Sequence, residues 1–205
     1  TGILLFDKST LIVGLVALVA GYLLRDIPTG IFYLLYLSLY ILFFLSIAGK
    51  WDQELLKPYI FLLPARPIVK IWYATAAVHL KHLFEGLLLF FIAGWYFKLH
   101  IITCFLLAFC FTGFGSLYVY TGILFHKFIG KLSDTIIMRV VIFFLILFIT
   151  SPAITLLIIT NVEFADSQNM QWLFMTAVVA YSALISFLAL LLGRNLFTNM
   201  DKAAV

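Results

Sequence analysis

Six stretches of the chain are almost wholly apolar, and charged positions are largely confined to the breaks between them. The first runs from about Thr10 to Leu24, between Asp7/Lys8 and Arg25/Asp26. The second covers about Ile31–Ala48. The third covers about Leu83–Phe97, with a start as early as Trp72 open. The fourth is about Ile101–Phe125, the fifth about Ile136–Ile159 and the sixth about Trp172–Leu192. A helix that crosses a bilayer needs roughly 20 apolar residues, fewer where its ends snorkel. The pattern therefore predicts an all-α polytopic membrane protein with six transmembrane helices in one transmembrane domain spanning residues 1–205. The first stretch is short, and Ile3–Phe6 is expected to lie along the interface before it.

The breaks differ in kind. Arg25–Gly30 and Lys98–His100 are tight, and the second predicts a hairpin of helices three and four. His126–Asp134 is basic, whereas Thr160–Gln171 is polar and acidic through Glu163 and Asp166. Composition agrees with the pattern: 65% of residues are hydrophobic and 11% charged, against about 25% charged in a soluble domain. With a mean hydropathy of +1.17, lipid is the only solvent that accommodates the surface. The excess of basic residues is spread over the flanking loops and has no basic face interleaved with aromatics, so it is not a nucleic-acid signal. The chain opens with Thr1 and shows no leader with a charged start, apolar core and cleavage site. That leaves open whether it is trimmed or part of a longer polypeptide.

Charge also orients the bundle. With the N-terminus in the cytoplasm, Lys8, Lys50, Lys57, Arg66, Lys70, Lys81, Lys127, Lys131, Arg139, Arg194 and Lys202 fall on the cytoplasmic side. Only Arg25 and Lys98 of the 13 lysines and arginines fall outside. This is the positive-inside bias, and it predicts both termini in the cytoplasm.

The break from Gly49 to about Lys81 is too long and too apolar for a plain connector. Trp51, Leu55 and Leu56 recur at i, i+4 and i+5, while Lys50, Asp52, Gln53, Glu54 and Lys57 supply polar positions. The spacing predicts a short amphipathic helix stopped by Pro58. Beyond it, Pro64 and Pro67 punctuate the chain, Arg66 and Lys70 are expected near headgroups, and Trp72 and Tyr73 suit an aromatic belt. Two readings stay open: an interfacial anchor, or a docking element for a cytoplasmic partner. The mixed signs of Lys50, Asp52, Glu54 and Lys57 lean toward docking, because a lipid anchor is more often uniformly basic.

His79, His82 and Glu85, at i, i+3 and i+6, are the ionisable residues at membrane depth. Their spacing puts them within an arc of about 120° on one helix. Ionisable groups there are functional hypotheses by default, and three roles are open: structural or interfacial, lining or gating, and metal binding. Lys81 stands four residues before Glu85 and could pair with it. In the run TGFGSLYVYTG, Thr112–Gly122, the small residues suit close helix packing. Ser116 lacks the G-x-S-x-G frame and an evident base. Cys104 and Cys110 point about 120° apart on a helix, which suits buried thiols rather than a disulfide or a metal pair.

No G-x-x-x-x-G-K-[ST] loop, calcium loop, H-E-x-x-H or haem signature occurs. The chain is therefore expected to hold no cofactor and not to be an enzyme, and any uphill transport would draw its energy from another chain.

One segment carries a resemblance. From Gly49 to Phe90 the sequence has a Gly-Lys-Trp start, the Glu-Leu-x-Lys-Pro-Tyr stretch Glu54–Tyr59, the Leu-Pro-x-x-Pro stretch Leu63–Pro67, and Glu85 before Gly86. It resembles the membrane subunits of ABC exporters from Gram-positive bacteria, in the six-helix ABC-2-type permease class. The resemblance implies a permease subunit in a bacterial cell membrane, exporting amphipathic or hydrophobic cargo such as peptides. It implies ATP-Mg bound by a partner ABC ATPase, and a second permease copy or paralogue. It also implies that Lys50, Trp51, Asp52, Glu54, Leu55 and Lys57 form the element that couples to the ATPase. Two other classes are weighed beside it: an intramembrane enzyme built on His79, His82 and Glu85, and a non-transport scaffold or immunity protein.

Overall fold

The computed structural model describes residues 8–27, 29–47, 66–129, 136–163 and 167–193. Among them are six helices and no strand: α1 Lys8–Leu24, α2 Gly30–Ile47, α3 Pro67–Phe97, α4 Ile101–Ile129, α5 Ile136–Glu163 and α6 Gln168–Gly193. Four contain stretches long and apolar enough to cross a membrane: Thr75–Phe97, Ile101–Leu124, Phe143–Glu163 and Gln168–Leu192. The apolar helices Ser9–Leu24 and Gly30–Phe44 are shorter. The protein is thus an all-helical, multi-pass membrane protein.

The helices outrun the hydropathy that predicts them. The third starts at Pro67, ahead of Leu83 and five residues before the open alternative at Trp72, because Arg66 is extended (φ −61°, ψ 146°) and Pro67 sits in the first turn. There its ring presets φ and its missing N–H costs nothing. Likewise α4 continues through His126 and Lys127, and α5 through Asn161–Glu163. Hydropathy marks where lipid is, whereas backbone hydrogen bonding decides where a helix stops. Lys70 and Lys81, expected at a cytoplasmic surface, accordingly lie within α3.

The hairpin of α3 and α4 is as tight as predicted. Lys98 takes the left-handed conformation (φ 51°, ψ 41°), and Leu99 N donates to Gly94 O at 3.0 Å. This closes the last turn of α3 in the manner of a Schellman motif. At the α1–α2 turn, Gly30 packs so closely on the Leu24 carbonyl that a Cβ would collide with it.

Contacts across the seams fix the helix directions. Thr75 meets Tyr120 and Gly86 meets Ala108 and Phe111, so α3 and α4 are antiparallel. Gly14 meets Leu88 and Gly21 meets Tyr96, so α1 runs parallel to α3. Trp172 Nε1 donates to Thr103 Oγ1 at 3.0 Å, and Gly113 meets Ser182, so α6 runs parallel to α4. Helix α4 is the axle: 56% of its spanning window is buried, against 28–33% for the other three long spans. Its Leu107, Phe111, Phe114 and Leu117 fill the core with Leu34, Leu35 and Leu42 of α2, Leu89 and Phe90 of α3, and Met175 of α6.

Candidate functional site

Membrane depth can be read along α3. Trp72 and Tyr73 near its start, and Trp95 near its end, are exposed aromatics. They lie 23 residues apart, about 34 Å on a helix axis, which brackets a hydrocarbon layer of about 30 Å with its aromatic girdles. Glu85 falls about 15 Å before Trp95, near the middle of the layer. His79 and His82 lie between Glu85 and the first girdle.

The three residues do not converge. The Glu85 side chain is buried, 2% exposed, and turns to α1. Its Oε1 accepts hydrogen bonds from Ser9 Oγ at 2.7 Å and Thr10 Oγ1 at 3.2 Å, and Lys81 Nζ lies 3.9 Å away. His79 turns to α4, where its Nδ1 shares a hydrogen bond with Ser116 Oγ at 3.1 Å. Its ring lies against Tyr120, centroids 4.9 Å apart, and Tyr120 in turn bonds Thr75 at 3.2 Å. His82 is buried with its ring edge on Gly115, where a Cβ would overlap Nδ1. Among the described residues no group of three His, Cys, Asp or Glu could hold a metal ion. The shared face is real on the helix, but two seams divide it.

Sequence alone offers no evident base for Ser116, yet the fold sets His79 beside it. A signal was present. In a tight antiparallel hairpin, residues nearly equidistant from the turn face each other, and His79 and Ser116 flank Lys98–His100 almost symmetrically. Chemically the pair is a hydroxyl–imidazole contact whose second nitrogen, Nε2, is buried with no hydrogen-bond partner among the described residues. A serine nucleophile works with a base oriented by a third group. The nearby carboxyl group, Glu85, is engaged with α1 instead. The arrangement therefore ties α3 to α4 at membrane depth.

The small residues of Thr112–Gly122 act as packing, as their composition predicts. Gly113 admits Ser182 of α6, and Gly115 admits His82 of α3. Cys104 and Cys110 are both buried, and the Cys110 thiol lies 3.5 Å from the Met175 carbonyl. Lys50, Trp51, Asp52, Glu54, Leu55 and Lys57 lie outside the described residues.

Comparison with curated proteins and with solved structures returns no match. A family model described as "Putative ABC exporter" matches residues 1–201. With nearly its whole length covered, and with helices built to sit in lipid, the chain belongs to that family of membrane transport components.

Proposed function

We propose that this chain is the permease subunit of an ABC exporter of the ABC-2-type class, set in a bacterial cell membrane. The observation that carries the reading is the family match over residues 1–201. Both termini in the cytoplasm accord with most of the charge distribution, and six helices that alternate in direction along the chain return it to the side where it started. The ATPase is a separate subunit holding ATP-Mg, since this chain has no phosphate-binding loop. It docks on the mixed-charge segment Lys50, Trp51, Asp52, Glu54, Leu55 and Lys57. A second permease copy or paralogue completes the path, and its wall of phenylalanine and tyrosine suits amphipathic or hydrophobic cargo such as peptides.

The test is purification from native membranes in a gentle detergent, followed by mass spectrometry of co-purifying chains. A stoichiometric ATP-binding-cassette protein is expected, lost in Trp51→Ala/Leu55→Ala. Recovery of the intact chain with no such ATPase would refute the reading. In the intact complex, Glu54→Lys with Lys57→Glu is expected to uncouple ATP hydrolysis from export, and unchanged export would remove the docking assignment.

A further inference from the structure

Helix α1 is held differently at its two ends. At the end near Leu24 it is pinned by aromatics and a short turn. Tyr22 packs edge-on against Tyr96 with centroids 6.4 Å apart, Arg25 lies over Tyr22 at 4.5 Å, and Gly30 presses on both Leu24 and Phe97. At the other end Glu85 holds the hydroxyls of Ser9 and Thr10. Between the ends runs one apolar stripe, Val13 and Ala17, with Gly14 facing Leu88 so that an added Cβ would meet it in ordinary contact. Leu11, Leu15 and Leu18 face outward.

In lipid an apolar stripe holds by packing alone, because the hydrophobic effect does not act between helices there. Hydroxyl–carboxyl hydrogen bonds are what lipid cannot replace. The polar part of the hold of α1 on α3 thus includes Glu85, close to mid-membrane, where a carboxyl group is expensive to keep. Lys81 explains how the other state is tolerated: it sits on α3 itself, 3.9 Å from Glu85, and stays with the carboxyl group when α1 leaves.

We propose that Glu85 is a latch and the α1–α3 seam a gate: α1 pivots at Tyr22/Tyr96 and docks or releases at Ser9/Thr10. The latch stands on the contacts above, whereas its use in a transport cycle rests on the exporter reading, so each has its own readout.

For the latch, spin labels at Leu11→Cys on α1 and Leu184→Cys on α6, both exposed sites, report the separation by pulsed EPR in lipid. The background carries Cys104→Ala and Cys110→Ala. The shorter, docked distance is expected to dominate in the parent, with a longer one as the minor component. A second, longer distance should grow about tenfold relative to the first in Glu85→Ala, since two interhelical hydrogen bonds are lost and each is worth about threefold on average between membrane helices. Ser9→Ala/Thr10→Val attacks the latch from the other helix and leaves Glu85 and Lys81 in place. It should give the same second distance. Distributions identical to the parent in both variants would overturn the latch, whether or not an ATPase ever co-purifies. For the gate, Gly14→Cys with Leu88→Cys closes the seam by a disulfide. Export should stop on oxidation and return on reduction, and full export by the oxidised complex would overturn it.

Discussion

At the scale of single residues, this protein is organised by where side chains are absent. Gly113, Gly115 and Gly86 let α6 and α3 approach α4 closely, which matters in lipid because packing rather than the hydrophobic effect joins helices there. The Gly115–His82 contact makes a sharp case. Gly115→Ala places a methyl group on the imidazole edge, and the expected loss is about 1–3 kcal/mol, the usual cost of overpacking. The measurement is thermal unfolding in detergent. Gly115→Ala combined with His82→Ala should recover part of the loss, and strict additivity would show that the contact is not its source. The identities of His79, His82 and Glu85 were plain in the sequence, and so was their common face. What each one touches was not, because a face of about 120° is wide enough to meet two neighbours. Glu85 found α1 and His79 found α4.

At the scale of elements, α5 shows how a proline is accommodated inside the membrane. Pro152 has no N–H to offer the Phe148 carbonyl, and an unsatisfied carbonyl in hydrocarbon costs several kcal/mol. Ser151 Oγ donates to Phe148 O at 2.8 Å, and from the neighbouring helix Tyr181 OH donates to Ile149 O, also at 2.8 Å. Tyr181 thus joins α6 to α5 one residue beyond the carbonyl that the proline leaves without a donor. Tyr181→Phe is expected to destabilise the bundle by about 0.6 kcal/mol, the average for polar pairs between membrane helices. Unfolding in mixed micelles would measure it. The serine beside the proline is visible in the sequence, but the tyrosine 29 positions later is not. Element lengths were legible only as apolar lengths. The described part of α1 covers about half the layer, since Thr10 stands at the level of Glu85 and Tyr22 at that of Tyr96, about 18 Å along its axis. Lys8, counted at a cytoplasmic surface from its charge, belongs to a helix start at that same depth.

At the scale of the whole molecule, the aromatic girdles of α3 set the position in the bilayer. Trp95 is 87% exposed, and its place at a girdle predicts a shallow depth. With Trp51, Trp72 and Trp172 replaced by phenylalanine, Trp95 fluorescence in vesicles of brominated lipids should be quenched most by bromines near the headgroups. Strongest quenching by bromines at the chain ends would instead put Glu85 far from the middle and undo the depth scale used for the latch. The central position of α4 gives the bundle its order: α3 and α6 pack on it through small residues, α2 through Phe43 on Tyr118 at 5.3 Å, while α1 lies at the edge against α2 and α3.

The sequence by itself determined the solvent, the helical class, the order of the helices and the tight Lys98–His100 hairpin. All four rest on local quantities: apolar length, charge and turn chemistry. Only the tertiary structure decided that α4 is central, that Pro67 opens the third helix well before its apolar run, that His79 serves α4 while Glu85 serves α1, and that a tyrosine of α6 bonds the α5 backbone near its proline. In lipid an apolar face does not say which neighbour it will meet, because acyl chains solvate every such face about equally well. The choice falls to glycines that admit a close approach and to a few polar groups that must find partners across helices. Those pairings join positions far apart in the chain.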